Sequence, residues 1–148
     1  MQAVNDLTPL EREVVQKFLE GNDDILSTLR EQLRSVVVTK REMTGVGFYT
    51  AFAVSHGVRR GTSNRSFVIG DVCAKLPGLD YGAGFLLYVQ DGVLHMLEGH
   101  TYDERWPTEI NRFELDYTTG RPREMEAVRK IVQGGKPTEQ KIWTCGTD

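Results

Sequence analysis

The stretch Phe85-Leu86-Leu87-Tyr88-Val89-Gln90-Asp91-Gly92-Val93-Leu94-His95-Met96-Leu97-Glu98 decides the fold. Two apolar runs separated by Asp-Gly are the strongest local signal for a β-hairpin, because a type I′ turn needs φ > 0 at both central residues. A two-residue turn also sets the register. It predicts Gln90 opposite Val93, Val89 opposite Leu94, Tyr88 opposite His95, Leu87 opposite Met96, Leu86 opposite Leu97 and Phe85 opposite Glu98. Side chains alternate across a sheet, so Phe85, Leu87, Val89, Leu94 and Met96 form a core face with Glu98 at its far end. Leu86, Tyr88, Gln90, Val93, His95 and Leu97 form a mixed second face, covered in part or shaped as a shallow binding surface. Glu98 is the anomaly of this register, a carboxylate in line with a core row. Either it passes the edge and reaches water or an arginine, or it sits in a cleft with a raised pKa.

Upstream, Thr8-Pro9-Leu10-Glu11 reads as a capping box with proline at the first helical position. Leu10, Val14, Val15 and Phe18 recur at helical spacing, and Gly21 ends that helix. Asp23 or Asp24 caps a second helix, whose stripe is Ile25, Leu26, Leu29 and Leu33. From Ser35 the pattern turns to strand. Val36 to Thr39 runs into a charged end, and Phe48 to Val54 places Phe48, Thr50, Phe52 and Val54 on one face. Phe67 to Ala74 predicts a third strand with Gly70 as a bulge. Downstream, Phe113 to Thr118 alternates as an edge strand with its acids outward. Pro122 opens a third helix carrying Met125, Val128 and Val132, and Gly134-Gly135 stops it. Residues 136–148 form a polar tail, expected to be mobile except where Ile142-Trp143 docks.

Helix, helix, a run of strands, then a helix argues an α+β fold. The expected architecture is a mainly antiparallel sheet of about five or six strands, with an N-terminal helix pair and a C-terminal helix. At 148 residues the chain suits one domain. A net charge of −3 gives no basic field for nucleic acid or anionic lipid. No apolar run approaches the roughly 20 residues that span a bilayer. The first residues show no basic segment followed by an apolar one, so no signal peptide is expected and a cytoplasmic location follows. Cys73 and Cys145 make neither a disulfide framework nor a metal set, and Cys73 reads as a small buried residue of a strand.

Chemistry-bearing residues gather after the hairpin. His95, Glu98, His100 and Asp103 are ligand types, but a strand puts His95 and Glu98 on opposite faces and no third ligand is identifiable, so no metal is assigned. No nucleophile elbow, Walker A loop or dinucleotide fingerprint is present, and no cofactor is assigned. Arg59 and Arg60, on a loop with Arg65, form a basic cluster that is either simply solvated or suits a phosphate or an acidic partner. From Glu98 to Asp116 acids alternate with Tyr102, Trp106, Phe113 and Tyr117. Rigid aromatics supply anchors and acids supply steering, which suits a protein-binding surface. The competing reading is that Tyr102 and Trp106 plug the end of the sheet.

Phe85-Leu86-Leu87-Tyr88-Val89, followed by Leu97-Glu98-Gly99-His100-Thr101-Tyr102-Asp103 and Trp106-Pro107, resembles a segment of small uncharacterised bacterial proteins, whose recognisable core is Leu-Glu-Gly-x-Thr-Tyr. The resemblance extends back to Thr44-Gly45-Val46-Gly47-Phe48 and Thr8-Pro9-Leu10-Glu11. It implies no activity, cofactor or catalytic residue. Two functions stay open. One is a small protein-binding module, immunity-like or an adaptor, with Glu98, His100, Tyr102, Asp103, Trp106, Arg59 and Arg60 as binding residues. The other is a small hydrolase or ligand-binding domain using Glu98 with nearby His, Tyr and Asp. The lack of a catalytic set favours the first.

Overall fold

The structure, a computed structural model, describes residues 6–55 and 65–133. Helix α1 (Pro9–Phe18) starts where the sequence placed it. The Thr8 hydroxyl accepts from Glu11 N, and Glu11 Oε1 accepts from Thr8 N at 2.8 Å, completing the capping box. Helix α2 (Asp24–Leu33) is capped by Asp23, whose Oδ1 accepts from Ile25 N and Leu26 N. The strands are β1 (Val37–Met43), β2 (Gly47–Ala53), β3 (Phe67–Ile69), β4 (Val72–Lys75), β5 (Ala83–Gln90), β6 (Val93–Thr101) and β7 (Glu114–Tyr117), followed by helix α3 (Met125–Val132). They form one antiparallel sheet in the order β1-β2-β6-β5-β4-β7, with β3 also paired to β5. The fold is α+β as expected. The seventh strand arises because the expected strand from Phe67 to Ala74 breaks at Gly70-Asp71 into two pieces that pair with different parts of β5. Helix α3 begins three residues after Pro122, at Met125. Its glycine stop and the tail 136–148 lie outside the described residues, as do Arg59 and Arg60.

The hairpin turn is as read, with Asp91 at φ 53° and Gly92 at φ 79°. Its register is corrected. Gln90 faces Val93 and Val89 faces Leu94, but Tyr88 then faces Met96, Leu87 faces Leu97, Leu86 faces Glu98 and Phe85 faces Gly99. His95 is the extra residue of a β-bulge. Beyond it every β6 side chain changes face, so Leu97 is buried while Met96 and Glu98 turn to the other side. The physical reason is the anomaly at Glu98. The uninterrupted register would bury a carboxylate, at a cost of several kcal/mol, and expose a leucine whose burial contributes about 2 kcal/mol. A bulge loses only one place in the ladder.

The face carrying Phe48, Thr50, Phe52, Phe85, Leu87, Val89, Leu94 and Leu97 is the buried one. All three helices lie against it. Glu11 on α1 is 3% exposed and meets Arg41 of β1 at 2.6 Å, with the Thr50 hydroxyl of β2 donating to its other oxygen. Gln32 on α2 reaches the hairpin turn, donating to Gly92 O and accepting from Leu94 N, each at 2.9 Å. Helix α3 places Met125 against Gly21, between the first two helices. Just before it, Arg123 pairs with Asp71 at 2.7 Å, donates to Glu20 O and stands 4.7 Å from the Tyr117 ring centroid. Cys73 on β4 is buried as read, but it is disulfide-bonded, which corrects the expectation that the cysteines make no disulfide framework. Cys145 lies outside the described residues.

Candidate binding face

The opposite face of the sheet carries no helix among the described residues. Its centre is a row running across four strands in register: Glu42 of β1, Tyr49 of β2, Glu98 of β6 and Leu86 of β5. Side chains directly opposite on neighbouring strands stand with Cβ atoms about 5 Å apart, so this row brings a phenol between two carboxylates. Tyr49 is 37% exposed. Tyr88, two residues along β5 from Leu86, donates its hydroxyl to Glu98 Oε1 at 2.9 Å. Burial first, then the hydrogen bond and charge of Glu98, then Tyr49, push the Tyr88 phenol up to about 12. The phenol therefore stays protonated, and a donor, at any pH near neutrality.

Further along β6, His100 faces Gly47 on one side and Gly84 on the other. A Cβ at position 84 would stand 2.7 Å from both His100 Nε2 and Tyr102 Oη. Glycine is what lets the imidazole and the phenol lean together over the strand, where their rings meet edge to face at 5.5 Å. His100 Nδ1 is buried without a hydrogen-bond partner among the described residues. Burial lowers the His100 pKa, partly offset by the charge of Glu98, so the ring is neutral at neutral pH.

Glu98, His100 and Tyr102 thus come together on one side of the sheet. Asp103 and Trp106 do not join them. Asp103 is exposed in a turn at φ 69°. Trp106 is 7% exposed and plugs the sheet end, edge-on to Phe48 at 5.2 Å and to Phe85 at 6.5 Å. Tyr117 also turns inward, its hydroxyl 2.6 Å from Lys17 O. His95 is exposed at the bulge, away from Glu98. Sequence reasoning passed over Tyr49 and placed Tyr88 only as the cross-strand neighbour of His95. The signal for both was the phenol at an outward parity of its strand, readable for Tyr49 from its place between buried Phe48 and Thr50.

Among the described residues no group of three His, Cys, Asp or Glu is placed to hold a metal ion. Two depressions lie on the helical side, one between α1 and the β7 segment and one between α1 and α2. Cys73 closes the row Gly47–His100–Gly84–Cys73 on the bare face and is 1% exposed, so that end of the face is covered, while Glu42 and Tyr49 are exposed. No protein-family model, curated protein or solved structure matches the chain.

Proposed function

We propose that this chain is a small protein-binding module, of the immunity or adaptor kind, that engages its partner with the bare face of the sheet. The observation that carries this reading is the one-sided placement of the described helices, which leaves Glu42 and Tyr49 exposed beside the half-buried Tyr88–Glu98 pair. Open faces that combine aromatic anchors with charges suit protein partners more than enclosed small-molecule chemistry. The acidic-aromatic segment after the hairpin contributes Tyr102 to this surface, but Trp106 and Tyr117 are spent on packing. The resemblance to small bacterial proteins adds no activity to this reading.

Capture from the source lysate tests it. Tyr49→Arg on the bare face abolishes recovery of a specific partner, whereas Glu13→Arg on the exposed side of α1 leaves recovery unchanged. Equal recovery with all three proteins overturns the reading. Trp106→Ala is no probe of binding, because it opens the core.

A second reading is favoured by the meeting of His100 and Tyr102 over Gly84, beside Glu98. A neutral imidazole next to a carboxylate suits a general base in a small hydrolase or ligand-binding domain. Under that reading His100→Gln abolishes turnover of an ester or peptide substrate while partner capture is untouched. Among the described residues no helix is long and apolar enough to cross a membrane. A cytoplasmic location belongs to the proposal, and the disulfide at Cys73 weighs against it, since disulfides persist in oxidising compartments. Thiol titration of protein from cytoplasmic and exported fractions decides the point.

A further inference from the structure

We propose that the row Glu42–Tyr49–Glu98 seats one arginine side chain of the partner protein. This rests on the bare sheet face being the partner surface, and it names the chemistry that surface recognises. Three observations lead to it. The first is the register, which places an exposed phenol ring between two carboxylates on adjacent strands. The second is how Glu98 is held. Tyr88 fixes its Oε1 and leaves Oε2 without a donor among the described residues. Neither Glu98 nor Glu42 has a lysine or arginine partner among the described residues.

The third is an internal precedent. Tyr117 directs its hydroxyl at Glu20 Oε2, at 2.7 Å, much as Tyr88 does at Glu98. There the set is completed within the chain: Lys17 Nζ stands 4.5 Å and Arg123 Cζ 4.7 Å from the ring centroid. The same phenol and carboxylate pairing on the bare face has no cation among the described residues. A guanidinium suits the place better than an ammonium, because it stacks flat on a ring while its N–H groups fork to a carboxylate.

The test uses the full chain, isotopically labelled, titrated with a short arginine-containing peptide blocked at both ends and with its citrulline counterpart. Saturable amide shifts centred on Glu42, Tyr49 and Glu98 are expected with the arginine peptide alone. Affinity falls about tenfold in Glu98→Gln, as expected for loss of one charge-assisted hydrogen bond. That variant is isosteric and keeps an oxygen for Tyr88, and its unliganded spectrum checks that the fold is intact. Tyr49→Leu weakens binding several-fold by removing the ring. The inference is overturned by equal affinity for the citrulline peptide, by affinity unchanged in Glu98→Gln, or by shifts confined to other surfaces. It is overturned as well if the same amides move with protein concentration before peptide is added, which gives the seat to a second copy of the chain. Partner capture separates this outcome from the broader reading. If Tyr49→Arg loses the partner while Glu98→Gln keeps it, the surface stands and the arginine seat falls.

Discussion

Two tyrosine–glutamate pairs in this molecule look alike up close and differ in everything around them. Tyr117 points its hydroxyl at Glu20 on the helical side, and Tyr88 points its own at Glu98 on the bare side. The first is wrapped by Lys17 and Arg123, and Arg123 continues to Asp71 and to the Glu20 carbonyl. One cation there ties β7, the loop before α3 and the end of α1 to each other. The second pair ties β5 to β6, which the hairpin already joins, so it adds little to the fold. A polar cluster that closes on itself holds the protein together, and one that stays open is available to something else.

Removing the cation from the closed cluster is expected to have the largest effect. Arg123 is 5% exposed in its side chain and Asp71 only 15%. Arg123→Ala leaves a mostly buried carboxylate without its partner, which costs roughly 3–5 kcal/mol. It also lifts the Tyr117 phenol further above its ordinary range, because the Arg123 charge now opposes the burial and Glu20 effects that raise it. Denaturant unfolding reads the first effect and spectrophotometric phenol titration the second. A loss below 1 kcal/mol would show that the cluster decorates the fold instead of clasping it.

A third carboxylate sets the scale between the two. Glu11 is more deeply buried than Asp71 and more completely partnered, by Arg41, Thr50 and Thr8. Burial by itself would raise its pKa, but those hydrogen bonds and the Arg41 charge together hold it below the usual 4.5. A depressed carboxylate contributes stability that is present above its unfolded pKa and lost as pH falls through the folded one. His100 has the same sign for a different reason: burial disfavours its charged form, so its contribution is lost below about the ordinary 6.5. Stability is therefore expected to fall in two steps on acidification. His100→Gln removes the upper step and Glu11→Gln the lower. Glu11→Gln also costs about 2 kcal/mol at neutral pH, because charge-assisted bonds to a buried carboxylate become neutral ones. Unfolding midpoints measured across the acid range check both, and a single step unaffected by His100→Gln would count against the buried imidazole.

What was legible in the sequence was what neighbouring residues decide among themselves. The Thr8–Glu11 box, the Asp23 cap and the Asp91-Gly92 turn are local hydrogen-bond and φ requirements, and each stands as read. What was not legible was set by competition over distance. The turn alone dictates an unbroken register, but Leu94 and Leu97 both seek the core at an odd separation, and only a bulge at His95 satisfies both. Glu98 in a core row was the sign of that conflict. Trp106 shows the same limit. Its acidic neighbours suggested a surface, whereas the gap between Phe48 and Phe85 at the sheet end, made by residues far away in the chain, draws it inward. The candidate site moved with these two changes, from the segment after the hairpin to the face beneath it.

The smallest expected effect is the sharpest test of the open pair. Glu98→Gln is expected to change stability by no more than about 0.5 kcal/mol, since the side chain is half-buried, keeps its shape and leaves no cation behind among the described residues. If it instead destabilises as Arg123→Ala does, the Tyr88–Glu98 pair is structural and the contrast between the two clusters disappears. Tyr88 provides the finer reading. Its phenol is raised mainly by burial, with Glu98 adding through a hydrogen bond and a charge. Glu98→Gln removes the charge and keeps the burial, so the phenol titrates lower than about 12 but still above the ordinary 10. An arginine drawn onto the wild-type face acts in the same direction, because a nearby positive charge favours phenolate. The added arginine peptide should therefore lower the Tyr88 phenol pKa in wild type and leave it nearly unmoved in Glu98→Gln, linking the electrostatics of the bare face to what it binds.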